Sequence, residues 1–118
     1  MRPVAVHHVS INVRDVGEAT RFYVEQLGLQ RRTDRPDFGF AGAWLDAGSQ
    51  QVHLIEGDPP PALGQHFALL VDDLDAAISE LRSRGVDVTD ASAVGTARQA
   101  FLRDPSGNGI ELHQAAAG

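Results

Sequence analysis

The sequence predicts an α+β fold made of two βαβββ modules in tandem, and three observations carry that prediction. The opening Val6-His7-His8-Val9-Ser10-Ile11-Asn12-Val13-Arg14-Asp15 returns as His66-Phe67-Ala68-Leu69-Leu70-Val71-Asp72-Asp73, so that His8 falls on His66, Val13 on Val71 and Asp15 on Asp73. The same offset places Ala19 on Ala77, Asp46 on Asp104, His53 on Glu111 and Leu54 on Leu112. An offset kept over nearly the whole chain marks an internal duplication. Within each copy, period-two alternation gives way to helical spacing and then to further alternating runs. The copies are expected at residues 1–57 and 66–118, joined by a linker over 58–65.

The first copy opens on a strand over 4–13, with Val9, Ile11 and Val13 on one face and His8, Ser10 and Asn12 on the other. Asp15 precedes Glu18 by the spacing of a capping box and starts a helix. That helix carries Val16, Ala19, Tyr23 and Leu27 on one stripe, and Gly28 suits the position just past its end. A variable strand over 29–33 and a loop at Arg35-Pro36-Asp37 follow. A second strand spans 40–46, Ala47-Gly48-Ser49 turns the chain, and a third strand covers 51–55. There Gln51, His53 and Ile55 share one face and Val52 and Leu54 the other. Pro59, Pro60 and Pro61 remove three ladder donors, so this stretch is a stiff linker rather than sheet.

The second copy repeats the programme. Phe67, Leu69 and Val71 alternate with His66, Ala68 and Leu70, and Asp72 or Asp73 caps a helix bearing Leu74, Ala77, Ile78 and Leu81 that Gly85 ends. Strands are expected at 86–89, 97–103 and 110–114. The tight turn Asp104-Pro105-Ser106-Gly107-Asn108-Gly109 is dense in the residues that turns require. In the last strand Ile110 and Leu112 face one way, Glu111 and His113 the other.

Composition narrows the function. With 118 residues the chain fits one domain, and each half alone would bury too little to be stable, so the halves are expected to pack on each other or on a second chain. A net charge of −6 without a basic stripe argues against nucleic acid and anionic membrane as partners. No cysteine is present, which removes disulfides and thiolate metal sites. No apolar run reaches the ~20 residues of a membrane span, and the N-terminus lacks a signal-peptide pattern, so a cytoplasmic protein is expected.

His8, His53, His66 and Glu111 occupy equivalent places on the first and last strands of the two copies. A single histidine in an apolar strand is more often a hydrogen-bonded interior residue than a ligand. Four ligand-type residues at duplicated positions on matching faces are not independent accidents. If the helices lie outside, all four point inward, and three imidazoles with one carboxylate suit a divalent Zn, Ni, Mn, Fe or Co. Ser10, Asn12, Trp44, Arg98 and His113 are the candidate substrate contacts. His7 has the wrong strand parity and serves as a control.

The paired modules, the H-V-S-I-N-V-R-D opening, the H-F-A-L-L-V-D-D-L-D-A-A repeat and the D-P-S-G-N-G-I-E-L ending resemble the vicinal oxygen chelate superfamily. That group holds glyoxalase I, methylmalonyl-CoA epimerase, fosfomycin resistance enzymes, extradiol dioxygenases and bleomycin-binding proteins. The resemblance spans essentially the whole chain and implies a glyoxalase-like fold with the metal on His8, His53, His66 and Glu111. It implies a lyase or isomerase that chelates two adjacent oxygens of a small-molecule substrate and passes through an enediolate-type intermediate, with Glu111 as the base. Many isomerases of the family carry Glu or Gln where His53 stands. The triad His8, His66 and Glu111 matches the two-histidine, one-carboxylate set of the extradiol and fosfomycin enzymes. An Fe(II) extradiol-type dioxygenase is therefore the first alternative, and a non-catalytic drug- or metabolite-binding protein the second. Fosfomycin chemistry is disfavoured, since only Thr96 and Arg98 near the seventh strand offer groups for a phosphonate. Sites shared across a two-fold are common in the family, which implies a homodimer.

Overall fold

The computed structural model describes residues 1–117, and the chain divides into two compact units. The first comprises Met1–Pro61 together with Pro105–Gly107; the second comprises Ala62–Asp104 and the chain from Asn108 on.

The first unit runs β1 (His8–Val13), α1 (Val16–Arg21), a π-helical turn over Phe22–Gln26, β2 (Gln30–Arg31), β3 (Gly42–Ala47) and β4 (Gln50–Glu56). Its sheet has the order β1-β4-β3-β2, with β1 parallel to β4 and the other pairs antiparallel. The second unit runs β5 (His66–Leu70), α2 (Leu74–Ser83), β6 (Ser92–Val94), β7 (Ala97–Arg103) and β8 (Gly109–Gln114), in the order β5-β8-β7-β6 with β5 parallel to β8. The two βαβββ modules expected from the duplication are present, in an α+β fold. Even the register repeats: His8 lies opposite Gln51 and Ser10 opposite His53, as His66 lies opposite Gly109 and Ala68 opposite Glu111.

Each unit buries one face of its sheet under its helix. In the first, Val13, Ala19, Tyr23, Leu45 and Leu54 are essentially inaccessible, and α1 packs against β3 and β4. In the second, Leu74, Ala100, Ile110 and Leu112 are buried, and α2 packs against β7 and β8. Strand alternation then forces every other side chain onto the opposite face, away from the helix. The helices start alike. Asp15 Oδ1 accepts from Glu18 N at 2.9 Å and Asp73 Oδ1 from Ala76 N at 3.0 Å, so Asp73 rather than Asp72 is the cap. The π-helical turn that continues α1, and α2 itself, each end two residues before a glycine with positive φ, Gly28 at 75° and Gly85 at 81°, a conformation that costs other residues strain.

Three expectations shift. Val86–Thr89 is not a strand: Val86 N bonds to Leu81 O at 3.0 Å and Arg82 Nη2 takes Val88 O at 2.8 Å, so the helix end claims these groups. The strand falls later, at Ser92–Val94. The first strand begins at His8 because Val4 and Val6, both exposed, precede the start of β4 and have nothing to pair with. The turn Pro105–Gly107 groups with the first unit, where Arg14 N donates to Ser106 Oγ at 3.0 Å and Arg14 Nη1 to Ser106 O at 3.2 Å.

Removing the second cap by Asp73→Ala should lower unfolding stability by about 1 kcal/mol in urea denaturation. Asp72→Ala, which removes no cap, should stay within about 0.5 kcal/mol of the parent chain.

Candidate functional site

On the face turned from α2, the second sheet gathers His66, Phe101, Glu111 and His113. Glu111 is the hub. Its Oε1 lies 3.1 Å from His66 Nε2 and its Oε2 2.8 Å from His113 Nδ1, and only 8% of the residue is exposed. His66 is also held from behind, with Nδ1 2.9 Å from Gly64 O, and its ring meets Phe101 edge-on at 5.3 Å. A carbonyl can only accept, so His66 Nδ1 carries the proton. A neutral His66 then presents a bare lone pair at Nε2 to a carboxylate oxygen. Two lone pairs face each other at 3.1 Å only with a positive charge between them, either a proton or a metal ion. Two ligands at ~2.1 Å from one ion and at right angles stand about 3 Å apart, so this pair fits a divalent cation. The bond from Nδ1 to a backbone carbonyl is the usual support of a metal-binding imidazole.

The first sheet offers something different. Trp44, His53 and His8 form a stack: the Trp44 and His53 rings lie 4.5 Å apart at 12°, and the His53 and His8 rings 4.0 Å apart at 13°. His53 is 8% exposed, and its Nε2 is 2.7 Å from Gln51 Oε1. His8 Nδ1 lies 2.9 Å from Nδ1 of His7. Imidazole lone pairs lie in the ring plane, so two parallel stacked rings do not aim at one point. In this arrangement His8 and His53 stand ready as an aromatic wall, and one ring must turn before both can ligate the same ion. Among the described residues, no three of His, Cys, Asp or Glu converge as a metal site. The four expected ligands are thus brought together in pairs, His8 with His53 and His66 with Glu111.

The remaining candidates divide. Trp44 belongs to the stack, and Ser10 sits beside His53 in register on the same face. Asn12 Nδ2 donates to Asp58 O at 3.2 Å and so helps to fix the start of the linker. Arg98 departs from its expected role. It lies opposite Gln114, in phase with Ala100 and Leu112 on the helix side, and pairs with Asp75 at 2.8 and 3.1 Å. His113 turns to Glu111 rather than outward. Sequence reasoning missed Gln51, Gly64 and Phe101 as partners of the histidines, although Gln51 shares the strand parity of His53. It also missed Arg35 and Phe38, which lie in an aperiodic loop and gave no pattern to read; Phe40, expected to open the second strand, lies in that loop as well, because β3 begins only at Gly42.

Two histidines are pushed in opposite directions. His66 is raised above the ordinary 6.5 by its bond to Gly64 O, against some desolvation, and then by Glu111. His53 is lowered, first by desolvation, then by the charges of His8, His7, Arg32 and Arg35.

The sequence profile of the Glyoxalase/Bleomycin resistance protein/Dioxygenase superfamily matches residues 5–112. A lactoylglutathione lyase of Escherichia coli O157:H7 is 32% identical over 119 residues, covering 89% of this chain and 88% of that one. A Bacillus anthracis protein placed in the glyoxalase family superposes with a TM-score of 0.86 at 28% identity, over 97% of this chain and 98% of that one. TnmS3, an antibiotic binding protein from Streptomyces sp. CB03234, superposes with a TM-score of 0.80 at 30% identity, over 98% and 99%.

The histidine shifts have a pH signature. His66 adds stability that is complete below 6.5 and fades as pH rises through its higher folded value, while the contribution of His53 is present above 6.5 and is lost as pH falls below it. Followed by NMR of the imidazole C–H resonances, His66 should titrate above 6.5 and His53 below. Glu111→Gln should bring His66 part of the way down, because the larger contribution, from Gly64, survives.

Proposed function

The chain belongs to the Glyoxalase/Bleomycin resistance protein/Dioxygenase superfamily, and from that premise we propose that it is a glyoxalase-like, metal-dependent lyase or isomerase. Its substrate is a small molecule with two adjacent oxygens, and Glu111 is the base. The observation that carries this reading is the chain of bonds from Gly64 through His66 and Glu111 to His113. It fixes one imidazole lone pair and one carboxylate oxygen side by side, as a cation requires.

The division of labour follows from the atoms. A divalent ion such as Zn, Ni, Mn, Fe or Co supplies, when bound, the positive charge that stabilises a substrate oxygen as it becomes anionic. His66 and Glu111 would hold it, with His8 and His53 as the further ligands of the proposed set. His113 Nδ1–H occupies Glu111 Oε2, so Oε1 is the oxygen that would hold the ion and, once released from it, would take the proton. Glu111 is shielded from bulk water, which suits a carboxylate that takes a proton next to a carbonyl. Named relatives support a lyase: lactoylglutathione is the first compound to assay. A homodimer is part of the proposal, since the face of the second sheet turned from α2 leaves Leu70 73% exposed.

A second reading, sequestration of a flat ligand without chemistry, is favoured by the Trp44–His53–His8 stack and by the likeness to TnmS3. Metal analysis separates the two. Protein purified without chelators should contain stoichiometric divalent metal, and Glu111→Gln should reduce turnover by about 10²-fold or more. His113→Leu should weaken metal binding by about 10–100-fold, whereas His113→Asn, which keeps an N–H near the same place, should retain most of it. A metal-free parent protein that binds flat aromatic compounds tightly would replace the lyase with the binding protein.

A further inference from the structure

We propose that Arg35, with the rings of Phe38, Phe40 and Trp44, forms a subsite on the first module that binds a carboxylate attached to a flat apolar group. It deepens the reading above by naming a substrate class, a small planar carboxylic acid, and its experiment uses metal-free protein so that the two can fail separately.

Arg35 is built into place. Its Nη2 donates to Phe40 O at 3.1 Å, and its guanidinium carbon lies 5.0 Å and 5.4 Å from the ring centroids of Phe38 and Phe40. Beneath it is Gly42. A Cβ there would stand 2.6 Å from Arg35 Nη2, 2.9 Å from its Cζ and 2.5 Å from Leu54 O. Glycine at that position is what lets the guanidinium lie down on the strand. Gly42 and Trp44 are two apart in β3 and so share a face, the face on which Trp44 stacks against His53. The cation therefore rests next to the aromatic wall of the candidate site.

Its charge is uncompensated. Arg32, Arg82, Arg84 and Arg98 each pair with a carboxylate, yet among the described residues none pairs with Arg35, in a chain whose net charge is −6. A guanidinium presents five N–H donors in a planar fork that matches a carboxylate, and most of that fork is unused here. Phe38 and Phe40 are half exposed, stack on each other at 5.7 Å, and Phe38 reaches Trp44 at 6.1 Å. Apolar rings beside an open cation suit a ligand with one charged end and a flat body.

Trp44 is the only tryptophan, so its fluorescence reports on this subsite directly. Chelator-treated protein is titrated with benzoate and with benzamide, a neutral molecule of the same shape. Benzoate should change the emission saturably, with benzamide at least about tenfold weaker by the loss of a charge-assisted bond. Arg35→Gln should reduce benzoate to the level of benzamide. Arg35→Lys, which keeps the charge but not the fork, should fall between, and it serves equally if circular dichroism shows that Arg35→Gln alters the fold. Equal binding of benzoate to the parent and Arg35→Gln proteins, equal binding of benzoate and benzamide, or no saturable signal in the parent would each overturn the proposal. So would a variant that only weakens self-association by sedimentation, which would make the loop a contact between copies.

Discussion

The parallel pairing of the first strand of each module with the last is the constraint from which the rest of the site follows. A parallel neighbour cannot be reached by a tight turn, so the chain must cross over through a helix and two intervening strands. That crossover covers one face of the sheet and leaves the other open. It also fixes the register, and the register sets which side chains meet. His53 falls beside Ser10 and Glu111 beside Ala68, so the small residues make room for contacts to His8 and His66 one pair further along. A slip by one residue would turn every one of these groups into the helix-covered core.

The two copies keep this frame and spend it differently. At one pair of equivalent positions stand His53 and Glu111, and their surroundings have diverged accordingly. The first copy surrounds its histidine with rings, Trp44 on one side and His8 on the other, and with Arg35 and its two phenylalanines beyond. The second surrounds its carboxylate with N–H groups and lone pairs, His66 at one oxygen and His113 at the other. One module has become a surface for shape and the other a place for charge, while the cores beneath them remain alike.

What could be read from the sequence was whatever depends on period and offset. Alternation placed Val13, Leu54, Ile110 and Leu112 in the cores and put the histidines opposite them, because backbone geometry alone decides those faces. The pairing of His66 with Glu111 was legible for the same reason. Features that depend on rotamers were not. Nothing in the spacing says that His8 and His53 stack with parallel rings, or that Gln51 takes the outer nitrogen of His53. Arg98 shares the parity of Ala100 and Leu112, which turns it to the helix side and to Asp75. Val86–Thr89 has the composition of a strand, yet the end of α2 claims Val86 N and Val88 O, while Thr89 N bonds to Phe101 O. Arg35 reaches its place through a close approach at Gly42, a property of three-dimensional neighbours that no linear pattern encodes.

The carbonyl that fixes the proton on His66 belongs to Gly64, within the segment that joins the two copies. The junction is thus more than a tether, since it sets the tautomer of a ring at the heart of the second copy. Gene fission or circular permutation that opens the backbone among Pro59, Pro60 and Pro61 would leave that imidazole oriented. The same cut made between Gly64 and His66 would set it free, although the two new termini would differ by only a few residues.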